Sequence, residues 1–375
     1  MADPLPPPLA KIRILEFAGL GPGPFAGQLL ADLGADVIVV DRPVPNPLRP
    51  AGAVERRGKR SIRLDLKRAR DRDVARALMG RADALIEGNR PGVMERLGLG
   101  PDVALAENPA LVYGRMTGWG QAGPYAGMAG HDINYIGVTG ALQAMGDADR
   151  PPPPPLNLVG DFGGGSLFLA LGLLAGVIAA RENGQGRVVD AAICDGTSAL
   201  MGMIHSLAGA GAWDAARGAN LLDGGRPYYR CYGTRDGRFM AVGCIEPQFH
   251  AEMLARLGID PDSYGNQNDP ACFAAQAAQL EKIFASRDQA DWAAHFAGSD
   301  ACVTPVRALD EVMDDPHMAA RAALVARGDT QHPAIAPRCG GAVDPPDLSP
   351  EGGATADILG ELGLPVDFLD SEGTA

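Results

Sequence analysis

Residues 11–41 read KIRILEFAGLGPGPFAGQLLADLGADVIVVD. Residues 11–17 form a short β-type run, and the turn at 19–24 is all glycine, leucine and proline. Residues 25–33 carry apolar side chains at helical spacing, and 35–41 is a second strand ending on an acid. A strand, a glycine-rich turn, a helix and a strand imply a parallel pair with a right-handed crossover. The alternation continues outward from this unit. SIRLDL at 61–66 reads as a strand, 70–80 as a helix, 84–87 as a buried strand end and LVYGRM at 111–116 as a strand. Such alternation over 120 residues predicts an open α/β sheet.

Beyond it the apolar run 167–180 reads as a buried helix, since its 14 residues are too few to span a bilayer. GRVVD at 186–190 reads as a strand, 194–207 as a helix and the Gly/Ala-rich stretch after it as a linker. A second unit opens with a hairpin at 232–242 around Asp236-Gly237 and continues with helices at 247–257, 271–285 and 288–297. The Pro-rich stretch 333–350 leads back to a last helix at 354–362. The expected division is a large domain over 1–207, a linker over 208–228, a small α+β domain over 229–330 and a return segment over 331–375.

The 375 residues are 46% hydrophobic and 21% charged, which suits two globular domains and excludes wholesale disorder. The net charge of −13 argues against nucleic acid and anionic membrane as partners. A polyanionic ligand would still be held where arginines cluster. No two of the six cysteines lie within ten residues of each other, and there is no HExxH. Metal pairs and a disulfide scaffold are therefore not expected, and free thiols point to a reducing, cytoplasmic setting. Nor does the N-terminus carry a basic segment with an apolar run behind it.

Five constellations carry polar chemistry. The turn Gly21-Pro-Gly23-Pro-Phe-Ala26 nearly fits a dinucleotide fingerprint, but its prolines remove backbone donors, so close packing is the better reading. Arg42, Arg56, Arg57, Lys59, Arg60, Arg63, Lys67, Arg68, Arg70 and Arg72 are a local excess of positive charge, either a solvated face or a landing surface for a small polyanion. Gly130-His131-Asp132-Ile133-Asn134-Tyr135 follows a strand end, where ligands bind in open α/β sheets. Asp161-Phe-Gly-Gly-Gly-Ser precedes the apolar helix. Its acid is either a helix cap or part of a site whose N–H groups hold a developing oxyanion, with three glycines letting a ligand approach. Glu246 enters the helix at 247–257 and carries no signal without a partner.

The segments GLGPGPFAGQLLADLGADV, GKRSIRLDLK, RPGVMERLGLGP, TGWGQAGPYAGMAGHDINY, LNLVGDFGGGS, GQGRVVDAAICDG and CIEPQF resemble those of the α-methylacyl-CoA racemases, within the class III CoA-transferase family. The resemblance covers the chain to about residue 330. It implies a Rossmann-like large domain, a small domain, and an interlocked homodimer with acyl-CoA as substrate. It implies neither metal nor cofactor, CoA being part of the substrate. By the same resemblance His131 and Asp161 are the catalytic pair and Glu246 is partnered with His131. CoA contacts fall to Arg42, Leu64, Asp65, Leu66, Lys67, Gly88, Asn89, Arg90, Arg96 and the loop Gly130, Asp132, Ile133, Asn134 and Tyr135. Asn89 stands where the family commonly has an aromatic residue, and Asp41 lacks the basic residue often found just before it. The implied reaction is inversion of the α-carbon of a 2-methylacyl-CoA by proton transfer through an enolate. Two alternatives are a class III CoA-transferase with Asp161 as nucleophile and a non-catalytic acyl-CoA-binding protein.

Overall fold

The computed structural model describes residues 6–48, 50, 52–340 and 344–369. Six strands form one parallel sheet: β1 Arg13–Phe17, β2 Asp36–Asp41, β3 Lys59–Arg63, β4 Ala84–Glu87, β5 Val112–Thr117 and β6 Arg187–Ala192. Their order is β3-β2-β1-β4-β5-β6, that of a doubly wound dinucleotide-binding sheet. Leu15 of β1 pairs with Ile38 on one side and Leu85 on the other, so the order in which strands are added reverses between β1 and β4. β4 is buried along its whole length and β1 and β2 at all but their first residue, so these strands read as near-continuous apolar runs.

Helices α1 Pro22–Asp32 and α6 Leu167–Asn183 cover one face, where Ala26, Leu30, Leu169, Leu173 and Val177 form a core with the strands. The other face carries α2 Ala69–Met79, the short α3 Val93–Arg96 and α4 Pro101–Glu107. It also carries α14 Thr355–Glu361 of the returning chain, whose Ile358 and Leu359 are fully buried there. The return segment includes the hairpin β10 Leu324–Arg327 and β11 Thr330–Pro333. Its main chain is tied beside β3: Gly58 N–H donates to Asp347 O, and Gly352 N–H to Ser61 Oγ.

The helix containing α6 begins earlier than the sequence suggests. Leu158–Ser166 is π-helical and runs straight into α6, giving 26 continuous residues, Leu158–Asn183. That helix is long and apolar enough to cross a membrane, against the expectation of a 14-residue run, but Leu169, Leu173, Val177 and Ala180 pack on the sheet. Two further helices belong with this part of the fold, α5 Asp132–Val138 and α7 Ile193–Leu200.

The chain divides into two compact units: Met1–Thr139, Pro155–Met201 and Ala320–Ala375 form the first, Gly140–Pro154 and Gly202–Ala319 the second. The sequence expectation placed all of 1–207 in the large domain. The excursion 140–154 instead belongs with the second unit, where the Arg217 guanidinium donates to Asp147 O at 2.9 Å. This unit comprises α8 Gly202–Gly209 and a three-stranded antiparallel sheet of β7 Tyr229–Gly233, β8 Phe239–Gly243 and β9 Val303–Pro305. It also holds α9 Pro247–Leu257, α10 Pro261–Tyr264, α11 Pro270–Phe284 and α12 Gln289–Phe296, with α13 Pro316–Ala320 at its end. The β7–β8 hairpin turns at Gly237 (φ +75°), and Tyr232, Phe284, Trp292 and Phe296 form the core.

Candidate active site

The loops leaving the C-terminal ends of β1, β4 and β5 surround a cavity of about 380 Å³, at the reversal of strand order where ligands bind in such sheets. His131 and Asp161 both line it. His131 caps the N-terminus of α5, and its own N–H donates to Asn134 Oδ1 at 3.0 Å. Its imidazole is exposed to the cavity.

Asp161 sits in the π-helical turn before α6. Burial pushes its carboxyl above the usual carboxylate range, and the charge of Asp132 pushes the same way. A 3.5 Å hydrogen bond from Asn157 Nδ2 and the nearby His131 pull it back. Gly21, which caps α1, lies under this carboxylate. A Cβ there would stand 3.2 Å from Asp161 Oδ2, and its φ of +66° also disfavours any other residue.

Trp119 walls the cavity, edge-on to Tyr125 (5.1 Å between ring centroids) and Tyr135 (4.8 Å). Two glycines make room: a Cβ on Gly118 or Gly130 would clash with the Tyr135 ring, whose hydroxyl donates to Gly130 O. Burial, then the charge of Asp161, raises the Tyr135 phenol above its usual range. Behind the β4 loop, Glu87 Oε2 accepts the Asn89 N–H at 2.7 Å and Glu87 pairs with Arg115, which also holds Glu95.

A second cavity of about 680 Å³ is lined by Arg42, Leu64, Asp65, Leu66 and Lys67. Phe17 and Asn89 stand in the walls of both cavities. Gly88, Asn89, Arg90, Gly130, His131, Tyr135 and Asp161 line the first. Arg96, Asp132, Ile133 and Asn134 line neither. The start of α5 turns Asp132 inward behind Asp161 and leaves Ile133 and Asn134 exposed, while Arg96 is exposed at the end of α3. Glu246 belongs to the second unit, exposed at the N-terminus of α9. There Gln267 Nε2 holds the preceding turn through the carbonyls of Cys244 (3.1 Å) and Ile245 (2.9 Å).

Two sequence expectations are corrected. The basic cluster is not one surface: Arg56 pairs with Asp41 (2.9 Å), Arg57 with Asp32 (2.6 Å) and Lys59 with Glu16 (2.6 Å) inside the fold, Arg60 pairs with Asp36 (2.7 Å) half-buried, and Arg42, Arg63, Lys67 and Arg68 are exposed. Only Arg42 and Lys67 of that cluster line the second cavity. The first two of the donors expected at Asp161–Gly164 are also engaged, because Asp161 N–H goes to Asp132 Oδ1 and Phe162 N–H to Asn157 O. Gly164 serves helix packing, since a Cβ there would meet Thr197 Oγ1 of α7 at 2.5 Å. Sequence reasoning missed Phe17, Trp119, Asn157 and Glu87. Of these only Glu87, an acid closing an apolar strand, carried a visible signal. Among the described residues no group of three or more His, Cys, Asp or Glu side chains is placed to hold a metal ion.

The family model described as CoA-transferase family III matches residues 9–355. Over 322 residues the chain is 42% identical to alpha-methylacyl-CoA racemase of Mus musculus, covering 86% of this chain and 83% of that protein. The Homo sapiens alpha-methylacyl-CoA racemase is 42% identical over 318 residues, 84% of this chain and 82% of the relative. A crystal structure of a CAIB/BAIF family protein from Brucella suis superposes with a TM-score of 0.81 at 27% identity, covering 95% of this chain and 99% of that one.

Proposed function

The chain belongs to CoA-transferase family III, and from that premise we propose that it is an isomerase that inverts the α-carbon of 2-methylacyl-CoA thioesters. One observation carries this reading: an imidazole and a carboxylate from different elements, His131 and Asp161, share one cavity. The reaction needs a base on each face of the α-carbon, each returning a proton as an acid in the opposite direction. A thioester acidifies its α-hydrogen, but the enolate remains costly unless fixed donors meet its oxygen. The N-terminus of α1 lines the cavity, and among its first three residues only Gly23 has an N–H to give, Pro22 and Pro24 having none. The raised carboxyl of Asp161 brings it closer to the neutral range in which a base also serves as an acid.

In this reading the second cavity receives the CoA portion, with Arg42 and Lys67 toward its phosphates, and the acyl end passes Phe17 and Asn89 to reach the bases. The assignment of Glu246 as His131's partner rests on the family resemblance. The chemistry calls for no cofactor beyond the CoA of the substrate. A cytoplasmic homodimer is part of the proposal. It is supported by a stripe on α6 in which Leu167, Leu171 and Ile178 are 53%, 65% and 62% exposed, a surface that a second copy would cover. Sedimentation should give twice 38.9 kDa; an active monomer would contradict it.

The activity is tested by incubating one epimer of a 2-methylacyl-CoA with the protein in D2O and following it by NMR. Epimerisation with deuterium at the α-carbon, in the absence of any acceptor acid, is the expected result. CoA transfer to an added carboxylic acid without epimerisation would move Asp161 to the role of nucleophile.

A further inference from the structure

We propose that Asp132 is a positioning residue for Asp161: its carboxylate anchors the Asp161 main chain and keeps a negative charge behind the Asp161 side chain. The proposal rests on the reading of Asp161 as one of the two bases.

The first N–H groups of any helix lack partners within it. At the start of the π-helical turn, Phe162 N–H is satisfied by Asn157 O, and Asp161 N–H is satisfied from outside the helix by Asp132 Oδ1, at 2.7 Å. The acceptor comes from the residue after His131, in the first turn of α5. One hydrogen bond therefore fixes the spacing of the chain segments that carry both bases. The contact is close enough to dictate the neighbouring residue, since a Cβ on Gly160 would lie 2.3 Å from Asp132 Oδ1.

Asp132 is only 8% exposed, and its second oxygen, Oδ2, is buried with no hydrogen-bond partner. A buried carboxylate oxygen left unpaired is costly, and such groups are retained where something depends on them. The elements packed against the π-helical turn are α1, α5, α6, α7, β5 and β6. Their titratable and charged groups are Asp32 from α1, Asp132 and Tyr135 from α5 with His131 capping it, Arg181 and Glu182 at the far end of α6, Cys194 and Asp195 from α7, Tyr113 and Arg115 from β5, and Arg187 and Asp190 from β6, with Asp32 held by Arg57 and Arg115 by Glu87 and Glu95. Among them, Asp132 pushes the Asp161 carboxyl up and His131 pulls it down.

Two substitutions separate the two roles. Asp132→Asn keeps an oxygen acceptor for the Asp161 N–H and removes the charge. It should move the acidic limb of the pH–rate profile down by about one pH unit, with a smaller loss of plateau kcat than Asp132→Ala. Asp132→Ala removes the anchor as well and should lower kcat about tenfold with KM little changed. A ¹³C titration of the Asp161 carboxyl in Asp132→Asn reads the same shift without turnover. An unmoved limb and titration in Asp132→Asn would overturn the proposal, and so would wild-type kcat in Asp132→Ala. Asp161→Asn separates the two levels of the argument. If it still racemises, the base assignment falls; if it is inactive while Asp132→Asn shifts nothing, only the role of Asp132 falls.

Discussion

At Gly21 and Asp161 the chemistry comes down to single atoms. The carboxylate rests on a glycine whose replacement would meet backbone strain at φ +66° and a tight contact, 3.2 Å, with Asp161 Oδ2. Around it, the arginines divide by what they reach. Arg90 lines the inner cavity, Arg42 the outer, and Arg96 neither. A charge-assisted arginine contact to a part of the substrate other than the reacting carbon is present in ground and transition states alike, so it acts on binding. Arg42→Ala and Arg90→Ala should each raise KM for acyl-CoA about tenfold with kcat little changed, and added salt should mimic them. Arg96→Ala should do much less. Steady-state kinetics on the three variants check this, and a pure kcat loss at Arg42 or Arg90 would place that residue in the proton transfers instead. On residues alone His131 and Asp161 each also fitted a structural reading, as a loop histidine and a helix cap; the family resemblance singled them out as a pair, and both line one cavity. The inward turn of Asp132 was not legible in the sequence, because it depends on α5 starting at that residue.

At the scale of elements, β1 and β3 hold α1 in place through an ion pair inside the fold. Lys59 Nζ donates to Glu16 Oε2 at 2.6 Å and to Pro24 O at 2.8 Å, and both charged side chains are buried. Gly27 permits it, since a Cβ there would overlap Glu16. Burial pushes the Lys59 ammonium below its usual range, and Glu16 partly offsets this. Lys59→Met takes the ammonium away from a buried carboxylate and should cost about 3–5 kcal/mol in urea unfolding. Glu16→Leu combined with Lys59→Met should recover much of that loss, because two well-packed apolar groups replace a buried pair at little net cost. If the double variant is no more stable than the single, the pair contributes more than mutual compensation. The sequence offered these cations as a surface because their partners, Glu16, Asp32, Asp36 and Asp41, lie on other strands and helices and meet them only in the folded chain. The π-helical start of α6 was hidden similarly. GDFGGG reads as a turn until Gly164 is seen pressed against Thr197.

Across the whole molecule, alternating strands and helices already implied the parallel sheet, and the strand order that follows places the site at the ends of β1, β4 and β5. The overall charge of −13 bears little on the ligand, since only Arg42, Lys67 and Arg90 of the arginines and lysines line the two cavities. The excursion 140–154 escaped the sequence reading. Its four prolines, 151–154, signal an extended spacer but not which unit the spacer joins, and that is decided by side chains such as Arg217.

The central claim is that His131 and Asp161 work from opposite faces of one carbon. It is tested most directly by deuterium incorporation into each pure epimer of a 2-methylacyl-CoA, catalysed by His131→Ala and by Asp161→Asn. Neither variant should racemise, since inversion needs both bases. Each should still exchange the α-proton of one epimer, and the two variants should choose opposite epimers. Exchange of the same epimer by both would contradict opposed bases and remove one of the two residues from the mechanism.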